Sequence, residues 1–531
     1  MEDIMQKQWK KRNGCKDFDD YVLQATGRSI RQLYAERTKE YVCPGIDQVA
    51  AELLKAKEDG KKVVGVFDFD ADGICSTAEM HLVLNKLGIS HGLIVPKRLS
   101  EGYGLNPGMI DRMDGADVVV TVDNGITAHD AIAVAKDRGM QVIIMDHHNA
   151  LGEVPDADII VDAEEFPEGW TFTHYCGAGL VYKLAEYMFP KDDDFLDVLS
   201  CFAAIATVGD VVDVTADNHN IIARGLENIN RRRCTPGLAC LLNKIAENSN
   251  IDPFTVSDLA MTVVPLINAP GRLSDDGGEQ VLRCLFASEK SAPAAAQKLC
   301  DINAERKQLV QTALDTLTPK GGHITFLYDE SLKEGICGII AGRYATSTHK
   351  PSYVMTKAED GTIKGSARCE EGYNVFHDLS RCKEYLTKFG GHDCAAGFSF
   401  REEDLDKVFE ILETSVEAPK NEGTEFYDLE VEPSDILPLY CEQNKIAIFG
   451  EGLRRPVLRM KAMVEDAKAV GKKQDVLLFK AANTKCIGFS LMEKYTALGR
   501  PSSVVLYGTL DINWFRKRPS AQITVLDIEK A

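Results

Sequence analysis

The sequence predicts an α/β protein with a parallel sheet, a connecting helix, a smaller α/β domain and a C-terminal β-barrel. Apolar strands alternate with amphipathic helices between residues 61 and about 163, which is typical of a parallel sheet covered on both faces. A mainly helical stretch follows, alternation returns from residue 323, and short strands with turn signals fill the C-terminal part. These observations divide the chain into a polar helical lead-in (1–60), a sheet domain (61–275), a connecting helix (276–320), a second α/β domain (321–416) and a barrel (425–531).

Each strand of the first sheet is a short apolar run that ends at a polar or turn residue. The predicted strands are "KKVVGVFDFD", "HGLIVPKR", "DVVVTVDNG", "QVIIMDHH" and "ADIIVDA". The helix "STAEMHLVLNKLG" is closed by Gly88, and "VLSCFAAIATVGDVV" is a buried helix that ends in acids. Long helices span residues 278–317, the chain restarts near Pro319, and 417–424 reads as a linker.

The composition excludes several classes of protein. No apolar run approaches the ~18 residues of a membrane span, and the N-terminus lacks the apolar core of a signal peptide, so we expect a cytoplasmic protein that does not enter a membrane. Its 15 cysteines are scattered without C-x-x-C spacing, which indicates reduced thiols. The formal net charge of −20 disfavours a nonspecific nucleic-acid coat but allows a local basic groove and bound cations.

Acidic and imidazole side chains recur where the predicted strands end. Because the carboxyl ends of parallel strands meet at one edge of a sheet, these groups are expected to lie close together. A buried helix contributes one further acid to the same edge. The set comprises Asp68, Asp70 and Asp72 after the first strand, Asp123 after "VVVTV", Asp146, His147 and His148 after "QVIIM", and Asp210 after the buried helix.

Such a cluster is costly unless cations share it, since like charges resist ionising together. Oxygen ligands with an imidazole suit Mg²⁺ or Mn²⁺, and this many ligands suffice for two ions about 4 Å apart. Taken singly, Asp72 or Asp210 reads as a helix cap and the histidine pair as packed side chains. The combination of several strand ends favours the metal site.

These motifs resemble a known family. "DFDADGICSTA", "VDNG", "DHH" and "TVGD" occur in the order and spacing of the DHH phosphoesterase superfamily. "GICGIIAGRYATSTHKPSYVM", "GSAR" and "FGGHDCAAGF" are similar to its DHH-associated second domain. "EGYGL", "INAPGRL" and the C-terminal "FGEGLRRPVL" are similar to segments of RecJ-type single-strand-specific exonucleases, whose barrel is an OB-like nucleic-acid-binding domain.

The resemblance implies a role for each matching residue. Asp68, Asp70, Asp72, Asp123, His147 and Asp210 would be metal ligands, His148 would face the scissile phosphate, and Asp146 would support the histidines. Substrate phosphates would be held by Arg272, Ser366, Arg368 and His392, and approached by the backbone N–H groups of Gly390 and Gly391. Arg98, in the basic pair Lys97–Arg98, is a further candidate for substrate binding, although such a pair taken alone is usually a solvated face. Tyr103 would stack on a base, although a packed turn aromatic is an equal alternative. Pro270 and Leu266 depart from the family pattern in the predicted loop before Arg272.

The leading hypothesis is therefore an exonuclease that uses two Mn²⁺ or Mg²⁺ ions and degrades single-stranded DNA from its 5′ end to mononucleotides, in recombination and repair. On the barrel, Arg454–Arg455, Lys472–Lys473 and Arg516–Arg518 would follow the DNA backbone while Trp514, Phe515 or Tyr507 stack bases. The alternatives are a phosphodiesterase of short oligonucleotides or cyclic dinucleotides, and an inactive replication scaffold. We expect a monomer, with a single-strand-binding protein as a partner implied by resemblance alone.

Overall fold

The computed structural model describes residues 8–12, 14–35, 41–98, 100–102, 104–150, 152–358, 360–416, 424–471, 473–515 and 518–531. Tyr103, Lys472, Arg516 and Lys517, and the side chains of Trp514, Phe515 and Arg518, lie outside this description. Among the described helices, none is both long and apolar enough to cross a membrane.

The N-terminal segment is not the wholly helical lead-in that the sequence predicts. It begins with strand β1 (Gln8–Lys11), which pairs in parallel with residues 424–427 at the start of the C-terminal domain. The helices that follow are α1 (Phe18–Thr26), α2 (Ile30–Ala35) and α3 (Ile46–Glu58). Helix α3 packs in the hydrophobic core of the first sheet through Val49 and Leu53. The prediction failed at β1 because a distant partner strand, rather than a local pattern, defines it.

The first sheet is parallel throughout, as predicted. In chain order its elements are β2 (Val63–Val66), α4 (Ala71–Leu87), β3 (His91–Ile94), α5 (Pro107–Ile110), β4 (Val118–Val122), α6 (His129–Asp137), β5 (Gln141–Met145), β6 (Ile159–Val161) and α7 (Gly177–Met188). The strand order is β3-β2-β4-β5-β6. Two separate apolar clusters cover its two faces. Because all five strands run in the same direction, their carboxyl ends lie along one edge of the sheet.

A helical region completes the first lobe of the molecule. It contains α8 (Asp193–Gly209), α9 (Ala216–Arg231), α10 (Pro236–Ser249), α11 (Val256–Asp258), a π-helix (Leu259–Val263), α12 (Val264–Leu273), α13 (Gly277–Leu285) and α14 (Ala292–Thr316). Arg272 lies in the last turn of α12 and not in the predicted loop, because the helix continues through Pro270, whose carbonyl accepts a hydrogen bond from the backbone N–H of Ser274.

The second α/β domain, which forms the second lobe, is built on a mixed sheet of order β10-β11-β9-β8-β7. Its elements are β7 (Thr325–Tyr328), α15 (Glu334–Thr348), β8 (Ser352–Lys357), β9 (Thr362–Arg368), α16 (Val375–Arg381), β10 (Leu386–His392), β11 (Ala395–Arg401) and α17 (Leu405–Ser415). Helix α15 packs against both α12 and α14, so the two lobes meet along these three helices.

The C-terminal domain is a seven-stranded sheet of order β13-β14-β18-β19-β17-β16-β15. Its elements are β12 (Thr424–Tyr427), β13 (Leu429–Glu430), α18 (Ile436–Ile446), β14 (Val457–Met463), β15 (Glu465–Val470), β16 (Val476–Ala481), β17 (Thr484–Gly488), α19 (Met492–Ala497), β18 (Ser503–Phe515) and β19 (Arg518–Lys530). One continuous apolar cluster joins Phe18 of α1, Phe202 of α8, Leu242 of α10 and Leu458 of β14. The domain is therefore packed onto the helical region through a shared core.

Candidate functional site

The loop between β2 and α4 carries the first three acids, and backbone N–H groups hold two of them. Asp70 is the N-cap of α4, with one oxygen accepting from the backbone N–H groups of Asp72 (2.9 Å) and Gly73 (3.2 Å). The carboxylate of Asp72 accepts from the backbone N–H groups of Gly177 (2.6 Å) and Ala178 (2.8 Å) at the start of α7. Each carboxylate oxygen has two lone pairs, so both residues keep acceptor capacity for a cation.

Two glycines allow the acidic loops to come together. A Cβ atom at Gly73 would overlap the backbone of Asp68, and one at Gly177 would lie 2.6 Å from the Cβ of Asp123. Asp123 itself has a φ of 61°, a left-handed conformation that aspartate tolerates better than most residues. The packing of α4 and α7 against these loops therefore fixes where the carboxylates point.

His147 is the point at which three separate elements converge. Its Nε2 atom lies 3.1 Å from Asp123 Oδ1, 3.8 Å from Asp72 Oδ2 and 3.7 Å from Asp210 Oδ2. Asp210 is the C-cap of α8, as expected of a helix-end acid, and from there its carboxylate reaches the other acids. The predicted gathering of strand-end groups is confirmed for these four residues.

Asp146 organises the histidine loop. Its Oδ1 accepts from the backbone N–H groups of His147 (2.8 Å) and His148 (3.3 Å) and lies 2.8 Å from His148 Nδ1, while Oδ2 accepts from the N–H of Ile126 (3.0 Å). Burial would raise the pKa of Asp146, but the hydrogen bond and the charge of His148, together with the hydrogen bond from Ile126, outweigh it and the pKa is lowered. Burial likewise opposes the charge on His148, yet the hydrogen bond and the charge of Asp146, together with the charges of Asp210 and Asp72, raise the pKa of His148 to about 9.

The remaining carboxyl groups carry more negative charge than their surroundings can stabilise. Burial, and next the charges of Asp70 or Asp72, raise the pKa values of Asp68, Asp123 and Asp210 well above the ordinary value. Ligand atoms lie within 4.8 Å of one another in three sets, which are Asp123–His147–His148, Asp72–His147–Asp210 and Asp68–Asp70–Asp123.

One buried oxygen, Oδ1 of Asp68, has no hydrogen-bond partner among the described residues. Cations placed between these sets would relieve the mutual repulsion and satisfy that oxygen. The residues present therefore fit divalent metal ions.

Arginines border the acidic loop on the side of the second α/β domain. The guanidinium of Arg98 lies 4.7 Å from the ring centre of Phe69, within the electrostatic reach of Asp68 and Asp70. Arg272 donates from Nη1 to the carbonyl oxygen of Gly335 (3.2 Å), and a Cβ at Gly335 would overlap the Arg272 backbone. A Cβ at Gly338 would lie 3.0 Å from Arg368 Nη2 and 3.4 Å from Ser366 Oγ. Helix α15 thus brings Arg272 of one lobe and Ser366 and Arg368 of the other together.

The register of the second sheet places His392 in the same cross-strand row as Arg368, and Gly390 in the same cross-strand row as Ser366. Arg368 pairs with Ala395, which pairs with His392, and Ser366 pairs with Gly397, which pairs with Gly390. Gly391 has a φ of 140° and packs against the Ala396 backbone, where a side chain would not fit. His392, Gly390 and Gly391 are exposed at the edge of the sheet. The predicted position of Tyr103 falls outside the described residues.

Arg98, Arg272 and Arg368 form no salt bridge among the described residues, although Asp68 and Asp70 act on Arg98 and Asp70 acts on Arg272 over a longer distance. Burial, and then the neighbouring Arg98, Arg306 and Arg368, lower the pKa of Arg272 to about 9. Burial also lowers the pKa values of Arg98 and Arg368. A group of half-buried guanidinium groups with no salt-bridged carboxylate among the described residues is the expected chemistry of an anion-binding site.

One prediction on the barrel is wrong. Tyr507 is 3% exposed, and its ring is stacked on Trp9 with centroids 4.2 Å apart, so it is not available to stack a base. The N-terminal strand β1 covers it, which the local pattern around Tyr507 could not reveal.

Three further polar residues at the site were missed from the sequence. Asn124 ties the ends of β2 and β4 together by donating to the carbonyl oxygens of Val66 (3.1 Å) and Val122 (2.9 Å). Asp162 follows β6 at the same edge, where the strand-end rule could have found it. Arg306 lies in the polar helix α14, and no local signal distinguishes it there.

Comparison with known proteins assigns the three main parts of the chain. The N-terminal domain of the DHH family matches residues 62–207, the DHHA1 domain matches 321–418, and the RecJ OB domain matches 427–527. The single-stranded-DNA-specific exonuclease RecJ of Haemophilus influenzae is 30% identical over 529 residues, covering 91% of this chain and 90% of the relative. The chain belongs to the RecJ family. RecJ of Salmonella typhimurium is 34% identical over 423 residues, covering 72% of this chain and 71% of its own length.

Solved RecJ structures share the fold. RecJ of Thermus thermophilus in complex with Mn²⁺ has a TM-score of 0.78 at 24% identity, covering 92% of this chain and 72% of that one. A structure of exonuclease RecJ bound to manganese has a TM-score of 0.61 at 27% identity, covering 70% of this chain and 94% of that one. The predicted architecture, including the OB domain, is thereby confirmed.

Proposed function

We propose that this RecJ-family chain is a divalent-metal-dependent exonuclease that hydrolyses single-stranded DNA from the 5′ end to mononucleotides, in recombination and repair. The observation that carries the proposal is the juxtaposition of two groups with opposite charge. Acids that follow β2, β4 and α8 gather with the histidines that follow β5 within metal-ligand distance of one another, and arginines without a salt bridge among the described residues border the same acidic loop.

The acids and the imidazole provide the metal site. Asp68, Asp70, Asp72, Asp123, His147 and Asp210 would hold two Mn²⁺ or Mg²⁺ ions. When bound, such ions supply activation of water and neutralisation of charge on the phosphorus centre. Asp146 orients both histidines through hydrogen bonds, and His148, with its Nδ1 proton held by Asp146, presents its other ring nitrogen to the phosphate.

The arginines favour the end of a strand over its interior. A terminal phosphate monoester carries a charge of about −1.5 to −2, whereas an internal phosphodiester carries one negative charge. Arg98, Arg272 and Arg368, with Ser366, would therefore compensate a terminal phosphate better than an internal one. His392, Gly390 and Gly391 would extend the contact along the edge of the sheet. The 5′ polarity and the release of mononucleotides are implied by the family resemblance.

The OB domain supports a strand as the substrate. It is joined to the helical region by a shared apolar core, so a strand leaving the metal site would meet a surface held in a fixed position. This feature disfavours a phosphodiesterase confined to very short oligonucleotides, which has no use for such a domain. The presence of the whole acidic set disfavours an inactive scaffold. A monomeric state and contact with a single-strand-binding protein remain predictions.

The test is digestion of an oligonucleotide labelled at either end, as single strand and as duplex, with Mn²⁺ and with Mg²⁺. Mononucleotides should appear from the 5′ end of the single strand. Asp123→Asn should lower the rate by more than about 100-fold, which exceeds what loss of a supporting partner causes. Asp130→Asn, an exposed acid on α6, is the matched control and should leave the rate unchanged. Cleavage of di- to tetranucleotides alone, or binding without cleavage, would contradict the proposal.

A further inference from the structure

The arginine group extends beyond the residues that a single terminal phosphate uses. Arg306 lies on α14, next to Glu305, whose carboxylate is 3.8 Å from Lys333 just before α15. Since α14 also packs on α12, Arg306 is placed at the junction of α12, α14 and α15 that holds Arg272. Among the described residues, neither Arg306 nor Arg343 of α15 forms a salt bridge with a carboxylate.

The guanidinium of Arg306 is held in one orientation by a hydrogen bond, which leaves its two Nη groups available for an anionic ligand. Its Nε donates to Oδ1 of Asn303 (3.1 Å), and Asn303 is only 6% exposed. A buried asparagine therefore fixes the plane of the guanidinium, and the two Nη groups have no further partner among the described residues. Burial, followed by the charge of Arg343, lowers the pKa of Arg306. An anion between these two side chains would remove that penalty.

The arginines fall into two groups that differ in their distance from the acids. The inner group is Arg98, Arg272 and Arg368, and the outer group is Arg306 and Arg343. Arg98 lies over Phe69, and Gly271, next to Arg272, faces the carbonyl oxygen of Phe69, so the inner group borders the acidic loop. Arg306 and Arg343 belong to α14 and α15. The acids of the loop act electrostatically on Arg98 and Arg272 but not on Arg306, so Arg306 lies on the side of the arginines that is farther from the acids. A strand held by its 5′ phosphate at the inner group continues through its scissile phosphate toward the acids. Only a group attached to the 5′ phosphate itself can extend the other way.

From this arrangement we infer that Arg306, with Arg343 beside it, is a subsite for the outer phosphates of a 5′-linked polyphosphate. It would allow the enzyme to take strands that begin with a 5′-triphosphate, as well as 5′-monophosphate ends. The inference rests on the proposed function, because it places the terminal phosphate at Arg98, Arg272 and Arg368. It adds a substrate class that the inner group alone does not explain.

The test compares two otherwise identical 3′-labelled strands, one with a 5′-monophosphate and one with a 5′-triphosphate. The quantity measured is kcat/KM for the triphosphate end divided by kcat/KM for the monophosphate end. Arg306→Gln should lower this ratio about tenfold or more, since loss of one charge-assisted hydrogen bond to phosphate costs at least about a factor of ten. Arg306→Lys should lower it less. Lys307→Gln, the exposed neighbour on the same helix, should leave the ratio at the wild-type value.

A second arm separates the two sources of a 5′-linked polyphosphate. Inhibition of monophosphate-end digestion by dATP is compared with inhibition by dAMP, in the wild type and in Arg306→Gln. A lower cleavage ratio identifies the strand end as the ligand, and a loss of the dATP preference alone identifies the free nucleotide.

Equal losses on both ends, no change in either arm, or a wild-type enzyme that does not cut triphosphate ends would overturn the inference while leaving the proposed exonuclease intact. Failure to digest any strand end would instead reject the proposed function.

Discussion

Asp162 is a buried carboxyl group that borders the metal-binding edge without being counted among the ligands. One oxygen accepts from the backbone N–H groups of Glu164 (2.9 Å) and Glu165 (3.3 Å), and the other is buried with no hydrogen-bond partner among the described residues. Burial, and then the charge of Asp146, raise the pKa of Asp162 to about 7. The folded protein therefore holds this group protonated under conditions in which the unfolded chain has lost the proton.

This difference predicts a pH-dependent stability. Between the ordinary aspartate pKa and about 7, the unfolded state binds fewer protons at this position than the folded state, so the contribution of Asp162 to wild-type stability should fall as pH rises, by up to about 1.4 kcal/mol per unit. Asp162→Asn should remove that slope, so that its stability relative to wild type improves from pH 4 to pH 7. Urea unfolding in a chelator, without divalent metal, measures this.

Asp156→Asn, an exposed aspartate shortly before β6, is the control for Asp162 and should keep the wild-type slope. A variant at Asp162 that runs parallel to wild type over this range would show that Asp162 is ionised in the folded state.

The acids of the site could be found from the sequence because ligand-binding residues of a parallel sheet lie at the carboxyl ends of its strands, which depends only on topology. A parallel sheet brings every carboxyl strand end to one edge, so Asp68, Asp123 and Asp146 could be placed from the sequence before any distance was known. Arg306 could not be placed, because its role depends on how three helices from two lobes pack. Tyr507 was misread because its covering residue, Trp9, lies at the other end of the chain.

Helix α4 contains a buried carboxyl group in largely apolar surroundings. The helix spans Ala71–Leu87, and twelve of its residues are buried in addition to Glu79. Its first half therefore has almost no side that faces solvent. Glu79 lies within it, 0% exposed, and both carboxyl oxygens lack a hydrogen-bond partner among the described residues. Burial, followed by the charge of Asp72, raises its pKa well above the ordinary value. A neutral acid in an apolar helix core is a cost to the fold.

Replacing that acid should stabilise the protein. Glu79→Met has similar volume and no polar atom to leave unsatisfied, so the free energy of unfolding should rise by about 1–3 kcal/mol near neutral pH. Thermal or urea unfolding measures the change. Glu58→Met, on the exposed end of α3, should change stability by less than about 0.5 kcal/mol. Destabilisation at Glu79 would mean that its carboxyl group is satisfied in solution and contributes to folding.

The positions of elements were predictable where periodicity was long and local. Helices α8 and α14 and the strands of the parallel sheet lie where their patterns predict them, since each pattern records the burial of its own face. Their bounds differ: α8 spans Asp193–Gly209 rather than 198–212, and each strand of the parallel sheet is shorter than its predicted run. Strand β1 has only four residues, and the mixed second sheet depends on antiparallel pairings that no local pattern specifies.

At the scale of the whole molecule, the N-terminal strand and the C-terminal domain stabilise each other. Trp9 stacks on Tyr507 and donates from Nε1 to Oδ2 of Asp527 (2.9 Å), and Tyr21 donates to the carbonyl oxygen of Arg454 (2.8 Å). The same apolar core continues into the helices next to the metal site. Removing the OB domain would therefore expose part of the core of the first lobe.

Trp9→Ala should weaken the packing of the N-terminal strand β1 against the C-terminal domain. Loss of the aromatic pair and of one hydrogen bond predicts a decrease of about 2 kcal/mol in the free energy of unfolding, with earlier proteolysis in the C-terminal domain than elsewhere. Denaturant unfolding and limited proteolysis followed by mass spectrometry measure these effects. Trp9→Phe keeps the stacking and should lose less, and Lys10→Ala, exposed on the same strand, should behave as wild type. A C-terminal domain that stays as resistant as in wild type would contradict this account.

The pairing of β1 with β12 also bears on how the chain is made. The ribosome makes Trp9 at a point 518 residues before its partner Asp527, and Tyr507 also comes late in the C-terminal domain. At about 5–20 residues per second, the first strand waits for roughly half a minute to two minutes before the surface it completes exists. During that interval the apolar residues of α1 have no final partner. Strand β1 therefore reaches its final contacts only after the C-terminal domain has been made, and a chain cut short within that domain leaves Trp9 without its partners.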